Sequence, residues 1–137
     1  MEEIVLCDNC CKDSSLTTIE WHDMKNLRMI DIGNGCFEFV TSFSLYNLPK
    51  LQSFVMGWEC CFHMDHTGEF HLHDCQELRQ IQIGLWSFYE YSVFDLRSMN
   101  IVLIKKIDVD SLRELSFVGL SFINCSFQLK SMIENEK

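Results

Sequence analysis

Proline, glycine and basic residues are scarce in this 137-residue sequence. With one proline and six glycines, the chain is neither collagenous nor of low complexity. Lysine and arginine total 11 against 20 aspartate and glutamate residues, which gives a net charge of −9. The sequence therefore lacks the basic footprint that nucleic acid or an anionic membrane surface requires, and no nucleic-acid partner is expected. The acidic charge is most simply explained as a contribution to solubility.

Long apolar runs are absent as well. The longest purely aliphatic run covers residues 101–104, far short of the roughly 20 residues that a membrane span needs, so no membrane insertion is expected. The first residues, MEEIVLCDNCCKDSS, begin acidic and lack the basic and apolar regions of a secretory signal. If Met1 is the true start, we expect a cytoplasmic or intracellular protein, although a repeat array can also be cut from a longer chain.

The sequence contains none of the common catalytic or phosphate-binding motifs that we searched for. G-x-x-x-x-G-K-[ST], G-x-G-x-x-G and H-E-x-x-H are all missing, so the phosphate cradle and the metalloprotease helix lack their residues. Cys61 and His63 lie too close along the chain for the geometry of a nucleophile and its base. We therefore predict that the protein is not an enzyme and uses no cofactor.

What the sequence does contain is a repeat. Hydrophobic residues make up 47% of the chain and aromatic residues 12%, enough for a continuous core. The pattern F-x-L-x-x-L-x-x-L is clearest over residues 43–51, with looser copies that start at 19, 70 and 94 and a fragment at 127. Successive starts are 24, 27, 24 and 33 residues apart. A period of about 25 residues is typical of solenoid proteins.

A second pattern, I-x-I-G, follows in each repeat at residues 30–33, 54–57 and 81–84, and a related fragment covers 4–7. Both patterns alternate apolar residues with a period of two, which predicts short strands. Stacked from coil to coil, the apolar positions form interior columns that bury a core no single coil could bury alone. We predict a mainly β repeat solenoid with little helix, in which each coil contributes two short strands to stacked parallel ladders.

This solenoid is predicted to be one domain, residues 1–137, with coils that start near 19, 43, 70 and 94 and partial coils at both ends. The register between Met99 and Leu112 has two interpretations. We favour an insertion over 100–111, because residues 112–115, LREL, copy residues 78–81, LRQI. The alternative makes Ile107, Val109 and the following leucines an abbreviated coil of their own.

The stretches LPKLQSFVMG and LRQIQIG, followed by Cys60-Cys61-Phe62 and by Ser-Phe respectively, resemble leucine-rich repeats, especially the BspA-like type. The standard leucine-rich repeat has an asparagine position that is held here by Gly35, Glu59 and Trp86. The resemblance implies a solenoid that presents a sheet face for protein binding, with no catalytic residues to carry over.

Cysteine and histidine residues support an alternative, a small zinc-binding domain. Seven of them cluster within residues 60–75, and Cys7 and Cys10 form a C-x-x-C. If zinc were bound, the ligand set would be His71, His73, Cys60 and His63, because zinc prefers such ligands. His71 and His73 alternate with apolar residues and should point outward, roughly 6.6 Å apart along one strand.

The repeat also explains most cysteines without a metal. A column that favours a small, buried residue contains Cys10, Cys36, Cys60 (or Cys61, if the register slips by one residue), Ser87 and Ser121. Buried free cysteine behaves as a small hydrophobe. Stacked interior side chains of a parallel ladder point in the same direction, which disfavours disulfides between coils. We therefore predict no metal and eight reduced thiols.

The outward-facing residues of the two kinds of strand are then the candidates for binding a partner. The candidate binding residues are Arg28, Asp31, Gln52, Arg79 and Gln82 beside the I-x-I strands, and Tyr46, His73 and Arg97 on the F-x-L strands. Tyr46 is flanked by His22 and His73, and histidine titrates near neutrality. We expect a non-catalytic protein-interaction module with a protein partner. The alternative is a structural fragment of a longer repeat protein that binds nothing alone, or an array that associates end to end.

Overall fold

The computed structural model describes residues 2–62, 68–88, 91–97 and 106–109. Within these residues there is no helix, and the strands lie in two parallel sheets. The strands are β1 (Glu3–Leu6), β2 (Thr18–His22), β3 (Met29–Ile32), β4 (Ser42–Tyr46), β5 (Ser53–Met56), β6 (Gly68–His73), β7 (Gln80–Ile83), β8 (Tyr91–Arg97) and β9 (Lys106–Val109). Sheet A has the order β1-β3-β5-β7-β9 and sheet B the order β2-β4-β6-β8. Alternate strands join alternate sheets, so each coil contributes two strands, and the predicted mainly β solenoid is confirmed.

The parallel register follows the repeat. In sheet B, Phe43 is the partner of Ile19 on one side and of Phe70 on the other, and Phe70 is paired in turn with Phe94. In sheet A, Phe54 pairs with Ile30 and Ile81 in the same manner. Because side chains alternate across a strand, this register sends one set of residues in every coil inward and the next set outward.

The core lies between the two sheets. Phe43 of sheet B and Phe54 of sheet A meet at a ring-centroid distance of 6.3 Å, and Phe54 and Phe70 meet at 5.9 Å. All three rings are fully buried. The sheets therefore face each other across a phenylalanine-rich interior, and their outward faces point in opposite directions.

The register after β8 corrects the insertion predicted for 100–111. Lys106–Val109 is a strand of sheet A, and it pairs with β7 through Ile81–Ile107 and Ile83–Val109. This strand therefore takes the position of the I-x-I strand in the next coil. The predicted insertion would have given that position to residues from Leu112 onward. Ile107 and Val109 thus stand at the register positions of Ile81 and Ile83, two residues apart as in the earlier coils. The rest of the insertion and the residues around 127 lie outside the described residues.

Each coil turns through left-handed backbone positions. Gly35, Glu59 and Trp86 have φ angles of 68°, 55° and 65°. The amides of Gly35 and Glu59 donate to the next coil, from Gly35 N to Trp58 O at 2.8 Å and from Glu59 N to Leu85 O at 2.9 Å. A left-handed residue other than glycine costs about 1–2 kcal/mol. The hydrogen bonds between coils offset that cost.

The small-residue column requires a hydrogen-bond donor as well as a small volume. Cys36 Sγ donates to Cys7 O at 3.2 Å, Cys60 Sγ to Gly33 O at 3.1 Å, and Ser87 Oγ to Gly57 O at 2.7 Å. Each thiol or hydroxyl therefore joins the turn after its sheet A strand to the backbone of the previous coil by a hydrogen bond. Burial raises the pKa of the Cys60 thiol to about 11, which keeps the proton that this bond needs.

This bond predicts how Cys60 tolerates replacement. Cys60→Ser keeps a small donor and should leave the free energy of unfolding within about 1 kcal/mol of the wild-type value, whereas Cys60→Ala removes the donor to Gly33 O and should cost about 1–2 kcal/mol. Urea unfolding of the two variants checks the difference. Equal losses in both would mean that the column selects for volume alone.

Candidate functional site

Three aromatic rings stack on the outward face of sheet B. The rings of His22 and Tyr46 are 4.8 Å apart between centroids and tilted by 3°, and those of Tyr46 and His73 are 5.1 Å apart and tilted by 9°. The three residues are Cα partners at the outward ends of β2, β4 and β6. Parallel pairing at one register places them in a single row, which we call the ring ladder.

Carboxylates line the ring ladder. The Tyr46 hydroxyl donates to Glu20 Oε1 at 2.6 Å, and this bond raises the pKa of Tyr46. His22 Nδ1 lies 2.6 Å from Asp23 Oδ2, and His73 Nδ1 lies 2.9 Å from Asp74 Oδ2. Each ring of the ladder is therefore oriented by one carboxylate.

The backbone at the end of these strands explains how the carboxylates reach the rings. Asp23, Asn47 and Asp74 directly follow β2, β4 and β6 and have φ angles of 58°, 53° and 57°. Asn and Asp tolerate this left-handed region better than other non-glycine residues. The Asn47 amide donates to Asp23 Oδ1, and hydrogen bonds from His22 and Asn47 lower the pKa of Asp23. The corner thus holds the Asp23 carboxylate in its charged form beside the ladder.

A second row on the same face pairs His71 with a buried carboxylate. His71 Nδ1 lies 3.0 Å from Asp95 Oδ2, and Asp95 is only 3% exposed. Glu69 Oε2 approaches the other ring nitrogen of His71 at 4.0 Å. The ladder therefore lies next to a further carboxylate-held histidine, and the face combines flat aromatic surface with negative charge.

The predicted binding residues fall on the two opposite sides of the solenoid. Tyr46, His73 and Arg97 share one row of sheet B. Asp31 and Gln82 lie outward on sheet A with Val55 between them. The remaining three residues are exposed and lie just before the strands of sheet A. Backbone hydrogen bonds join them from coil to coil: Arg28, Gln52 and Arg79. One flat partner surface cannot contact both sides, so the structure divides the predicted set in two.

The residues of the zinc alternative are not brought together where the structure describes them. Cys60 is buried at a corner with its thiol bonded to Gly33 O, whereas His71 and His73 lie on the outward face of β6, each beside its own carboxylate. His63 lies outside the described residues. In the described ranges, no group of three or more His, Cys, Asp or Glu side chains is arranged to hold a metal ion.

One exposed apolar cluster was missed at the sequence level. Trp58, Leu85 and Trp86 are 58%, 44% and 42% exposed at the corners that follow β5 and β7, and the Trp86 ring lies 6.4 Å from that of Phe62. The sequence did contain a signal for it. Trp58 and Leu85 directly follow the glycine of I-x-I-G, at the position that Asp8 and Asn34 hold in the earlier coils. The carboxylates Asp23 and Asp74 were also missed, because their approach depends on the left-handed corner.

Comparison with known proteins adds no relative: no protein-family model, no curated protein and no solved structure matches the chain. The similarity to leucine-rich repeats therefore remains a prediction from the repeat residues. The part of the chain that the structure describes contains no helix long and apolar enough to cross a membrane.

Proposed function

We propose that this chain is a non-catalytic protein-interaction module, and that its ring ladder binds an arginine-bearing segment of a partner protein. The observation that carries the proposal is the in-register stack of His22, Tyr46 and His73 with carboxylates along it. These side chains point away from the core. A core of stacked coils does not require aromatic rings at an outward position.

Charge and shape define the partner. The chain carries a net charge of −9, and the carboxylates of Glu20, Asp23 and Asp74 lie along the ladder. A guanidinium is planar, so it can stack on an outer ring face of the ladder while its fork of N–H groups pairs with a carboxylate. Both faces of Tyr46 are covered by its neighbours, so the free faces belong to the end rings. Lysine shares the charge and lacks the plane. A partner that uses arginine should therefore be preferred over one that uses lysine.

A pair of labelled peptides tests this preference. In an extended Arg-Ser-Arg peptide the two arginine side chains lie on one side, about 7 Å apart at the backbone, so both can reach the rings and carboxylates of the ladder. Fluorescence anisotropy should show binding of this peptide at least about 5-fold tighter than that of a Lys-Ser-Lys peptide, because stacking on an aromatic ring contributes about 1 kcal/mol. Equal affinities would contradict the proposal.

Matched variants locate the binding. Tyr46→Ala removes the ring against which His22 and His73 stack. Without that support the end rings lose their fixed orientation, so the preference for arginine should be abolished. Glu20→Gln should weaken binding of both peptides by removing a carboxylate. Asp31→Asn is the control, because it removes one exposed charge from the opposite sheet. It should change neither affinity. If neither peptide binds the folded wild-type chain, the structural-fragment alternative is favoured.

A further inference from the structure

Two thiols meet at the corner that follows β1. Cys7 Sγ and Cys10 Sγ are 2.7 Å apart, closer than the roughly 3.5–4.0 Å at which non-bonded heavy atoms ordinarily meet. Cys7 is exposed and Cys10 is partly exposed, so solutes can reach the pair. The two sulfur atoms therefore lie close enough to be joined on oxidation, and Cys10 also packs against the edge of the core.

Among the corners that the structure describes, only this one has such a pair, and the repeat explains why. Cys7 holds the position of Gly33, Gly57 and Gly84 in the later coils, and Cys10 holds the small-donor position of Cys36, Cys60 and Ser87. A Cβ atom at Gly84 would lie 2.6 Å from the carbonyl carbon of Gly57, in the coil before. β1 is the first strand of sheet A in the described residues, so no such coil lies against Cys7 there. A side chain is accommodated, and it meets the thiol three residues later.

The neighbouring cysteines are not equivalent competitors. Cys36 is buried, and its thiol donates to the backbone oxygen of Cys7 at 3.2 Å. Cys11 is exposed and lies in the column of Phe37, Cys61 and Phe88, with a φ angle of 59°. The Cys7 side chain raises the pKa of Cys10 to about 11, as expected for two thiols in contact. Geometry and electrostatics thus couple Cys10 to Cys7.

We propose that Cys7 and Cys10 form a reversible disulfide, made by exchange with a low-molecular-weight disulfide. The Cys7 thiolate attacks one sulfur of the small disulfide, which forms a mixed disulfide on Cys7 and releases one small thiolate. Cys10 loses its proton to water and attacks the Cys7 sulfur, which expels the second small thiolate. The two protein thiols are oxidised, the small disulfide is reduced to two thiols, and the protein disulfide closes the first corner of the solenoid.

The test uses the full chain with oxidised glutathione as the probe. After exchange and removal of the probe, the intact mass should fall by about 2 Da, since two hydrogens are lost, and six of the eight cysteines should remain open to alkylation after denaturation. Cleavage before Asp8 should leave residues 1–7 joined to the peptide that contains Cys10. Alkylation of both Cys7 and Cys10, or stable glutathione adducts on both, would overturn the proposal.

Two single variants separate this pairing from other disulfides. Cys10→Ser removes the resolving thiol, so Cys7 should retain a glutathione adduct. Cys11→Ser is the matched control, an equally conservative change at the adjacent exposed cysteine, and it should still lose about 2 Da. A disulfide that disappears in Cys11→Ser would reassign the pair and contradict the proposal. If Cys10→Ser fails to fold, the wild-type cleavage pattern and the Cys11→Ser result decide together, because residues 8–12 carry both Cys10 and Cys11.

Discussion

Leu45→Asp is expected to abolish cooperative unfolding, because it places a charge in the centre of the stack. Leu45 is fully buried, and its partners in the neighbouring coils are Trp21 and Leu72. Among the described residues, no lysine or arginine is buried, so the interior offers no cation to pair with the new carboxylate. An unpaired buried charge costs several kcal/mol or more, which is comparable with the 5–15 kcal/mol that typically stabilises a whole domain. Thermal unfolding followed by circular dichroism checks the result.

The adjacent residue supplies the control for this prediction. Ser44 lies on the outward face of the same strand, between Glu20 and His71. Ser44→Asp introduces the same carboxylate into a hydrated position, and we expect a change in the free energy of unfolding within about 0.5–1 kcal/mol. Similar melting curves for Ser44→Asp and Leu45→Asp would show that the assignment of inward and outward residues is wrong.

Gly84→Ala is the second change with a large expected effect. A Cβ atom at Gly84 would lie 2.6 Å from the carbonyl carbon of Gly57 and 2.7 Å from both Gly57 O and Trp58 N. These atoms belong to the backbone of the previous coil, so no side-chain rotation can relieve the clash. The coils would have to separate where Gly84 N donates to Met56 O at 2.9 Å. We expect a loss of about 3 kcal/mol or more in urea unfolding.

Gly35→Ala is the comparison that isolates this backbone contact. Gly35 has a φ angle of 68°, and an added Cβ atom would meet the side-chain oxygen of Asn9 at 2.6 Å. The Asn9 side chain can rotate away, which leaves mainly the left-handed strain of about 1–2 kcal/mol. Gly84→Ala should therefore be clearly more destabilising than Gly35→Ala. If Gly35→Ala were the more destabilising change, close contact between the backbones of adjacent coils would not be what requires glycine at position 84.

The periodic part of the fold could be predicted from the sequence because each coil repeats the same alternation. Phe43 and Phe70 were assigned to one interior column from spacing alone, and the sheet register pairs them. The register after residue 97 could not be fixed in this way. Residues 112–115, LREL, copy residues 78–81, LRQI, more closely than residues 104–107, IKKI, do, yet Lys106–Val109 forms the strand. Alternation and coil length determined the pairing there, rather than similarity to the previous coil.

The candidate site was predictable only in outline. The row of His22, Tyr46 and His73 follows from counting residues within each coil, since the same outward position recurs. The sequence does not predict that the carboxylates of Asp23 and Asp74 lie beside the rings. The alternation of apolar residues ends with the strand, so it does not predict the left-handed backbone of the turn that follows. Similarly, Cys60 and Ser87 share a small volume in the sequence, and only the contacts reveal that both donate to the previous coil.

The face that binds is the central claim, and chemical-shift mapping tests it most directly. The ¹⁵N-labelled chain would be titrated with the Arg-Ser-Arg peptide. We predict that the largest amide shifts occur on the outward positions of β2, β4 and β6, with Tyr46 and His73 among them, while β3 and β5 change little. Shifts confined to sheet A, or to the exposed corner of Trp58 and Trp86, would contradict the assignment of the ring ladder as the binding surface.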